Sequence, residues 1–283
     1  MDETVTVTEL WVFPVKGMQG VRVDSVDITD LGIAGDREYT VWEDSRLVDQ
    51  KADQWLASIA AHVDDATGAL TLSHPTHGEF VHQRRVEGSE LQAKWVLDEF
   101  AVIDQGDDVA QWLSSVLGRE VRLVTAKEPW QINFPIPQME RLHQNPKVRF
   151  NAASPVSIAN IASLGALNGH FDHAVGVDRF RMNVTIEGLD AYEEDHLEQL
   201  SNENVSMLSV APAERCVIVT TDQKTGERPT NNMLRTLAAE RMKSKQDRYG
   251  SGMKFGNYMA VDSGGRLSVG DRLNATFVPP IQP

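Results

Sequence analysis

The sequence predicts a β-rich mixed α/β chain: two β-barrel-like domains with a few helices. Three observations carry that expectation. Short runs alternating apolar and polar residues recur along most of the 283 residues. Helical patterning with usable caps occurs in only three stretches. The G-x-G-x-x-G fingerprint is missing, so a doubly wound dinucleotide-binding sheet loses its main support.

In chain order, VTVTELWVF (5–13) alternates and stops at Pro14, which lacks the N–H that a ladder needs. The loop PVKGMQG leads to VRVDSVDIT (21–29), and the glycine-containing LGIAGDR leads to EYTVWED (38–44); both runs read as strands. ALTLSHP and GEFVHQRRV read as further short strands. GDDVAQWLSSVLG (106–118) reads as a helix, with Asp107 or Asp108 as cap and Gly118 as stop. Val109, Trp112, Leu113, Val116 and Leu117 form its apolar stripe. VRLVT (121–125) returns to strand. Four prolines make 126–150 loop-like, so the domains are expected at 1–125 and 126–283.

NAASPVSIANIASLGALNG (151–169) predicts a helix capped by Ser154 with Pro155 in its first turn. DRFRMNVTIEG, NVSMLSVAP and RCVIVTT read as strands, and TNNMLRTLAAERMKS (230–244) as a helix. GNYMAVDSGGRLSVGDRL reads as two strands that close the β structure.

A formal charge of −14 argues against a nucleic-acid partner, which would want a basic stripe. On such a chain an anionic ligand needs a local pocket of cations. No run of eighteen apolar residues predicts a membrane span, and the N-terminus lacks a signal-peptide pattern, so a cytoplasmic location is expected. One cysteine permits neither an internal disulfide nor an iron–sulfur cluster within this chain.

That cysteine, Cys216, opens RCVIVTT behind Arg215. Alternation puts it on one face with Ile218 and Thr220, which suits a small buried hydrophobe. Its place at a strand's edge and the adjoining guanidinium suit a reactive thiolate instead. Lys16 stands alone in a loop, Arg37 follows Asp36 in a glycine turn, and Arg181 sits in an apolar run where an unpaired guanidinium is costly. Each also suits a surface ion pair. A helix beginning near Pro155 would aim free N–H groups at an anion, and alternation puts Arg181 and Asn183 on one strand face.

RCVIVTTDQKTGE resembles the R-C-x-x-T-T-x-D-x-x-T-G stretch of the MOSC domain, the molybdenum-cofactor fold of sulfurase C-terminal regions and amidoxime-reducing proteins. ELWVFPVKGMQG resembles that family's L-x-x-Y-P-V-K-S-x-x-G entry and LGIAGDREYTVW its G-L-x-x-D-R-x-W segment. NAASPVSIANIASL, DRFRMNVTIEG, DAYEEDHLEQL and FGNYMAV…LSVGDRL follow in family order. The resemblance implies an N-terminal MOSC β-barrel domain, then a MOSC domain holding the molybdenum cofactor. By the same resemblance Cys216 gives its thiolate to molybdenum, a soft-ligand match. Lys16, Gly17, Arg37, Ala153, Ser154, Arg181, Asn183 and Arg215 contact the cofactor. The Tyr192-Glu193-Glu194-Asp195 group suits either a proton donor, Glu194 or Asp195, or a solvated acidic turn. Gly17 departs from the family's serine and keeps only a backbone contact. Asp49-Gln50-Lys51 replaces the family's T-x-R, and Leu197 stands where an aromatic is usual.

The implied reaction is reduction of N-hydroxylated compounds, such as amidoximes and hydroxylamines, by oxygen transfer to molybdenum. Electrons come from a separate ferredoxin-like or cytochrome partner with its reductase, and no fused ferredoxin domain is expected. The alternative is a cofactor carrier, a storage protein or a sulfur relay working through Cys216.

Overall fold

Alternation at period two closes into two barrels. The computed structural model of the protein describes residues 3–95, 98–131, 146–229, 232–244 and 250–278. Tyr39–Glu43, Arg46–Val48, Glu90–Trp95, Asp98–Asp104 and Arg122–Ala126 form a closed five-stranded barrel. Its neighbours are antiparallel except at the closing contact, where Lys94 lies opposite Arg46 in parallel. One set of its side chains, Leu47, Ala93, Val102 and Val124, packs with Phe150. The other set, with Tyr39, Val41 and Leu123, packs beneath helix α1, Asp107–Leu117.

Helix α1 buries Val109, Ala110 and Leu113, but its cap is neither predicted aspartate. The cap is Gly106, whose φ of +102° few other residues adopt. Its N–H donates to Asp104 Oδ1 at 3.1 Å. Asp107 lies inside the first turn, where it pairs with Arg122 at 2.7 Å and complements the helix dipole. Gly118 ends the helix as expected, with φ +69°.

The second barrel is a ring of seven strands. In order these are Val156–Asn160, Val184–Glu187, Glu3–Val12, Arg272–Phe277, Leu197–Ser201, Ser206–Glu214 and Gly252–Ser263, which pairs back onto Val156–Asn160. Val5, Val7, Leu10, Ile158, Val184, Met207, Met259 and Leu273 belong to its core. The first strand of the chain therefore completes this barrel, and the loop after it runs back toward the five-stranded one.

Three local expectations fail here, each at the edge of the same cavity. Val156–Asn160 is a strand, not the start of a helix. All five residues are buried, and neighbours on both sides satisfy their backbone, which outweighs the Ser-Pro cap signal. Helix α2, Ile161–Asn168, begins only afterwards, capped by Asn160, whose Oδ1 accepts from the Ala162 N–H at 3.2 Å. It supplies the crossover that the parallel pair Val156–Asn160 and Val184–Glu187 requires. Second, RCVIVTT is not a strand: Val217–Thr220 is a 3₁₀ turn with Cys216 at its N-cap. Third, Val177–Phe180 is a 3₁₀ turn capped by Arg181 in the left-handed conformation, and strand begins at Val184. Helix α3, Met233–Arg241, falls within the predicted 230–244, of which 230 and 231 lie outside the described residues. Much of the predicted 126–150 loop, residues 132–145, also lies outside them.

Candidate functional site

Loops from both barrels wall one cavity of about 450 Å³. Lys16, Gly17, Arg37, Asp49, Gln50, Lys51 and Trp95 come from the first half. Residues 151–154, Ser157, Arg179, Phe180, Arg181, Asn183, Glu214, Arg215, Cys216 and Tyr258 come from the second. Cys216 is half-buried where the Ser206–Glu214 strand gives way to the 3₁₀ turn. Arg215 does not turn its guanidinium into a bond with the thiol. It donates to Phe255 O through Nε at 2.9 Å and Nη2 at 2.7 Å, and to Phe180 O at 3.1 Å. It ties the Cys216 turn to its two neighbouring segments.

The opposing cations are held by neutral groups for the most part. Lys16, nearly buried, donates from Nζ to Phe150 O at 2.8 Å and sits 4.1 Å from the Trp95 ring centroid. Arg37 adopts φ +49° and Arg181 φ +55°, conformations that cost a non-glycine residue roughly 1–2 kcal/mol each. Arg37 pairs with Asp36 through Nη1, and its Nη2 donates to Arg181 O at 3.0 Å. Both guanidinia lie over the Phe13 ring, at 4.8 and 4.4 Å from its centroid. Arg181 Nη1 donates to Met18 O at 2.6 Å and Gln223 Oε1 at 2.9 Å, while its buried Nη2 has no partner among the described residues.

Residues 4–120 match the MOSC N-terminal beta barrel domain and residues 145–274 the MOSC domain. The chain is 31% identical over 288 residues to the mitochondrial amidoxime reducing component 2 of Bos taurus, covering 96% of this chain and 83% of that protein. It is 28% identical to the human mitochondrial amidoxime-reducing component 1, with the same coverage. It is also 28% identical to the molybdenum cofactor sulfurase of Caenorhabditis elegans, over 95% of this chain and 36% of that protein.

The chain belongs to the MOSC family. In this MOSC protein the electrostatics of the cavity favour an anion. Burial pushes the Lys16 ammonium down to about 7; Asp49 opposes this while Arg37, Arg181 and Lys51 add repulsion. Burial also pushes Arg181 down, to about 9, with Arg37 adding repulsion and Asp36 and Asp178 opposing it. Burial lowers the Arg215 pKa too, and Tyr258 and Cys216 push it back. Two buried cations, Lys16 and Arg181, whose charged forms burial disfavours, form a pocket that an anionic group would relieve. A soft thiol donor stands on the same wall. This donor set fits a ligand carrying a phosphate and a thiophilic metal.

Most of the predicted contact residues are brought together: Lys16, Gly17, Arg37, Ala153, Ser154, Arg181, Asn183, Arg215 and Cys216 all line the cavity. Their local roles differ from expectation. Ser154 caps no helix; its hydroxyl donates to Met259 O. Arg181 and Asn183 share the wall without sharing a strand, because both precede the one that begins at Val184. Asn183 Oδ1 accepts from Ser157 Oγ at 2.9 Å, and its Nδ2 donates to Trp11 O at 3.2 Å. Gly17, with φ +87°, would place a Cβ 2.9 Å from Leu56 Cδ1, so this loop is built for glycine.

Glu194 and Asp195 are not on the cavity wall. Both are buried in a 3₁₀ turn, Glu193–His196. Glu194 accepts from Ser163 Oγ at 2.7 Å, and burial pushes its pKa up to about 7. Asp195 pairs with Arg241 at 2.6 Å and Lys243 at 3.5 Å. The solvated appearance of YEED in the sequence conceals interior partners that only long-range folding supplies. The carboxylates on the wall are instead Asp49 and Glu214.

Sequence reasoning also gave no role to Asn151, Ser157, Trp95 or Gln223, and met Gln50 only within Asp49-Gln50-Lys51, the departure from the family's T-x-R. Asn151 Nδ2 donates to Asp36 Oδ2 at 3.1 Å and so braces the Asp36–Arg37 turn. The adjacency of Asn151 and Ser157 to Ser154 was an available signal, and so was the T-x-R position for Gln50; nothing local pointed to Trp95 or Gln223.

Proposed function

We propose that this protein is a molybdenum-cofactor-dependent oxidoreductase that reduces N-hydroxylated compounds, such as amidoximes and hydroxylamines, with electrons from a separate redox partner. The observation that carries the reading is the pairing, in one cavity, of the only thiol with a cation group in which Arg181 Nη2 has no acceptor among the described residues. The likeness to amidoxime-reducing components over most of both chains supports the substrate class.

Cys216 holds the metal as its thiolate ligand. Lys16, Arg37 and Arg181 take the cofactor's phosphate. Asn183, oriented by Ser157, hydrogen-bonds the pterin, and Ala153 and Ser154 line the same wall. When bound, the cofactor supplies a two-electron centre able to accept an oxygen atom from an N–O bond. The overall change adds two electrons and two protons to the N–OH group and yields N–H and water. Proton delivery is assigned to Glu214, an exposed carboxylate on the cavity wall two residues before the thiol, in place of Glu194 or Asp195. One cysteine cannot build a cluster within this chain, so a ferredoxin-like or cytochrome partner with its reductase provides the electrons.

The test uses protein purified from a cofactor-competent host. Wild type is expected to carry molybdenum by elemental analysis and pterin by fluorescence after oxidation, and to reduce benzamidoxime with an artificial electron donor. Cys216→Ala is expected to lose turnover. A wild type free of metal and pterin overturns the reading. A loaded protein without turnover favours a carrier or sulfur relay, the class to which the likeness to a molybdenum cofactor sulfurase points.

A further inference from the structure

Beneath the cavity two buried glutamines form a closed amide pair. Gln50 is fully buried and Gln223 is 6% exposed. Gln50 Nε2 donates to Gln223 Oε1 at 2.9 Å, and Gln223 Nε2 donates back to Gln50 Oε1 at 3.1 Å. The remaining capacity reaches three separate segments. Gln50 Nε2 donates to Gly17 O at 2.6 Å, Gln223 Nε2 donates to Thr221 O at 3.0 Å, and Gln223 Oε1 accepts from Arg181 Nη1 at 2.9 Å. Neither amide can be flipped without setting donor against donor at Arg181 or acceptor against acceptor at Gly17. Arg228 reinforces the contact, donating to Thr221 Oγ1 at 2.9 Å and to Gln50 O.

The pair differs from its surroundings in charge. Arg37 is met by Asp36 and Arg179 by Asp222. Among the described residues Arg181 has no carboxylate within ion-pair distance, and the groups on its Nη1 are a carbonyl and an amide, both neutral. A carboxylate at position 223 would have the same shape and could accept the same bond, yet it would neutralise the guanidinium.

We propose that Gln50 and Gln223 are positioning residues: a neutral clamp that fixes the Arg181 guanidinium while leaving its charge available to an anionic group of the ligand. The clamp also joins the Lys16–Gly17 loop of one half to the loop after Cys216 in the other, so the cation end and thiol end of the cavity are set relative to each other by one buried hydrogen-bond pair. This rests on the reading of the cavity as a cofactor site. It adds residues that touch neither metal nor reacting atoms but decide how strongly the site holds an anion.

The experiment measures binding of inorganic phosphate by calorimetry to the full chain, produced without cofactor, for wild type, Arg181→Met, Gln223→Glu and Gln223→Met. Gln223→Glu is expected to weaken phosphate binding about 10-fold or more, because it supplies Arg181 with a counter-ion. Gln223→Met, which loses the bonds but adds no charge, is expected to weaken it only about 3-fold. Gln223→Met as damaging as Gln223→Glu overturns the clamp, as does Gln223→Glu binding like wild type. Gln50→Glu puts the same charge on the other half of the pair and is expected to weaken binding too. It keeps the test open should Gln223→Glu fail to fold, and binding equal to wild type in Gln50→Glu counts against the proposal. If wild type and Arg181→Met both bind no phosphate, the cofactor-site reading falls with it. If wild type binds, Arg181→Met does not, and Gln223→Glu matches wild type, the clamp alone is wrong.

Discussion

The cavity between the barrels and the acidic turn at Glu193–His196 both bury ionisable side chains, and they treat them in opposite ways. At the turn, Asp195 is closed off by Arg241 at 2.6 Å and Lys243 at 3.5 Å, and Arg241 in turn sits 4.0 Å from the Tyr192 ring centroid. In the cavity, Lys16 and Arg181 are held by carbonyls, an amide and aromatic faces, and burial pushes their pKa values down with only partial opposition from Asp49 at Lys16 and from Asp36 and Asp178 at Arg181. Asp195 meets its counter-ions within the chain, whereas the bonds that hold Lys16 and Arg181 come from neutral groups. Glu194 is held by hydroxyl and amide donors instead, and burial favours its neutral form.

Removing Arg241 should give the largest stability effect. Arg241→Ala leaves Asp195 buried with a single, more distant cation, and a loss of about 3–5 kcal/mol is expected in urea unfolding. Arg181→Met removes a charge that lacks a partner, so its unfolding free energy should move by less than about 1 kcal/mol. Equal losses in the two variants would erase the distinction between the regions. The same Arg181→Met protein should bind inorganic phosphate about 10- to 100-fold more weakly, the effect of losing a charge-assisted contact.

Opposite pH slopes sharpen the comparison. Burial raises the folded Glu194 pKa to about 7 from an ordinary 4.5, so the folded state holds the extra proton between those values. Its contribution is complete below the unfolded pKa and is lost as pH rises from about 4.5 to 7. Lys16 has a folded pKa of about 7 against 10.5, so here the unfolded state holds the extra proton. Its unfavourable contribution is full below about 7 and is relieved as pH rises toward 10.5. Each slope should reach about 1 kcal/mol per pH unit. Chemical unfolding across pH should show Glu194→Gln flattening the acid limb and Lys16→Met flattening the basic limb. Phosphate affinity should fall as pH passes 7, where Lys16 loses its proton, and that decline should be absent in Lys16→Met.

The smallest effect is expected at Lys51, an exposed cation on the cavity wall. Lys51→Ala should change phosphate affinity less than about 3-fold, and raising the salt concentration should remove most of that difference. A large change would mean that exposed cations near the mouth matter as much as the buried ones.

The strands of both barrels were legible because alternating residues such as Val5, Val7 and Val41 must face a core whatever their partners are. Legibility broke down on the cavity wall. The Ser154–Pro155 pair carries a genuine helix-start signal, but the five residues after it are buried between two strands and take strand geometry. The apolar run at 216–220 looks like alternation, yet it turns back in a 3₁₀ turn so that Cys216 faces the cavity. Arg181 looks like a strand residue and is a left-handed cap. Sites are where local preference is expected to yield, because a wall must present side chains where a ligand needs them and not where a ladder would put them.

By itself the sequence determined the β-rich class, the single thiol at Cys216, and the isolated cations Lys16, Arg37 and Arg181 as residues to watch, because patterning, composition and order are local properties. The tertiary structure alone decided which charges would go unpaired. Lys16 meets a carbonyl 134 residues away, Arg181 meets one 163 residues away, and the two glutamines of the clamp are separated by 173. Whether a buried cation has a counter-ion depends on what the fold brings within about 4 Å of it, and no spacing along the chain encodes that.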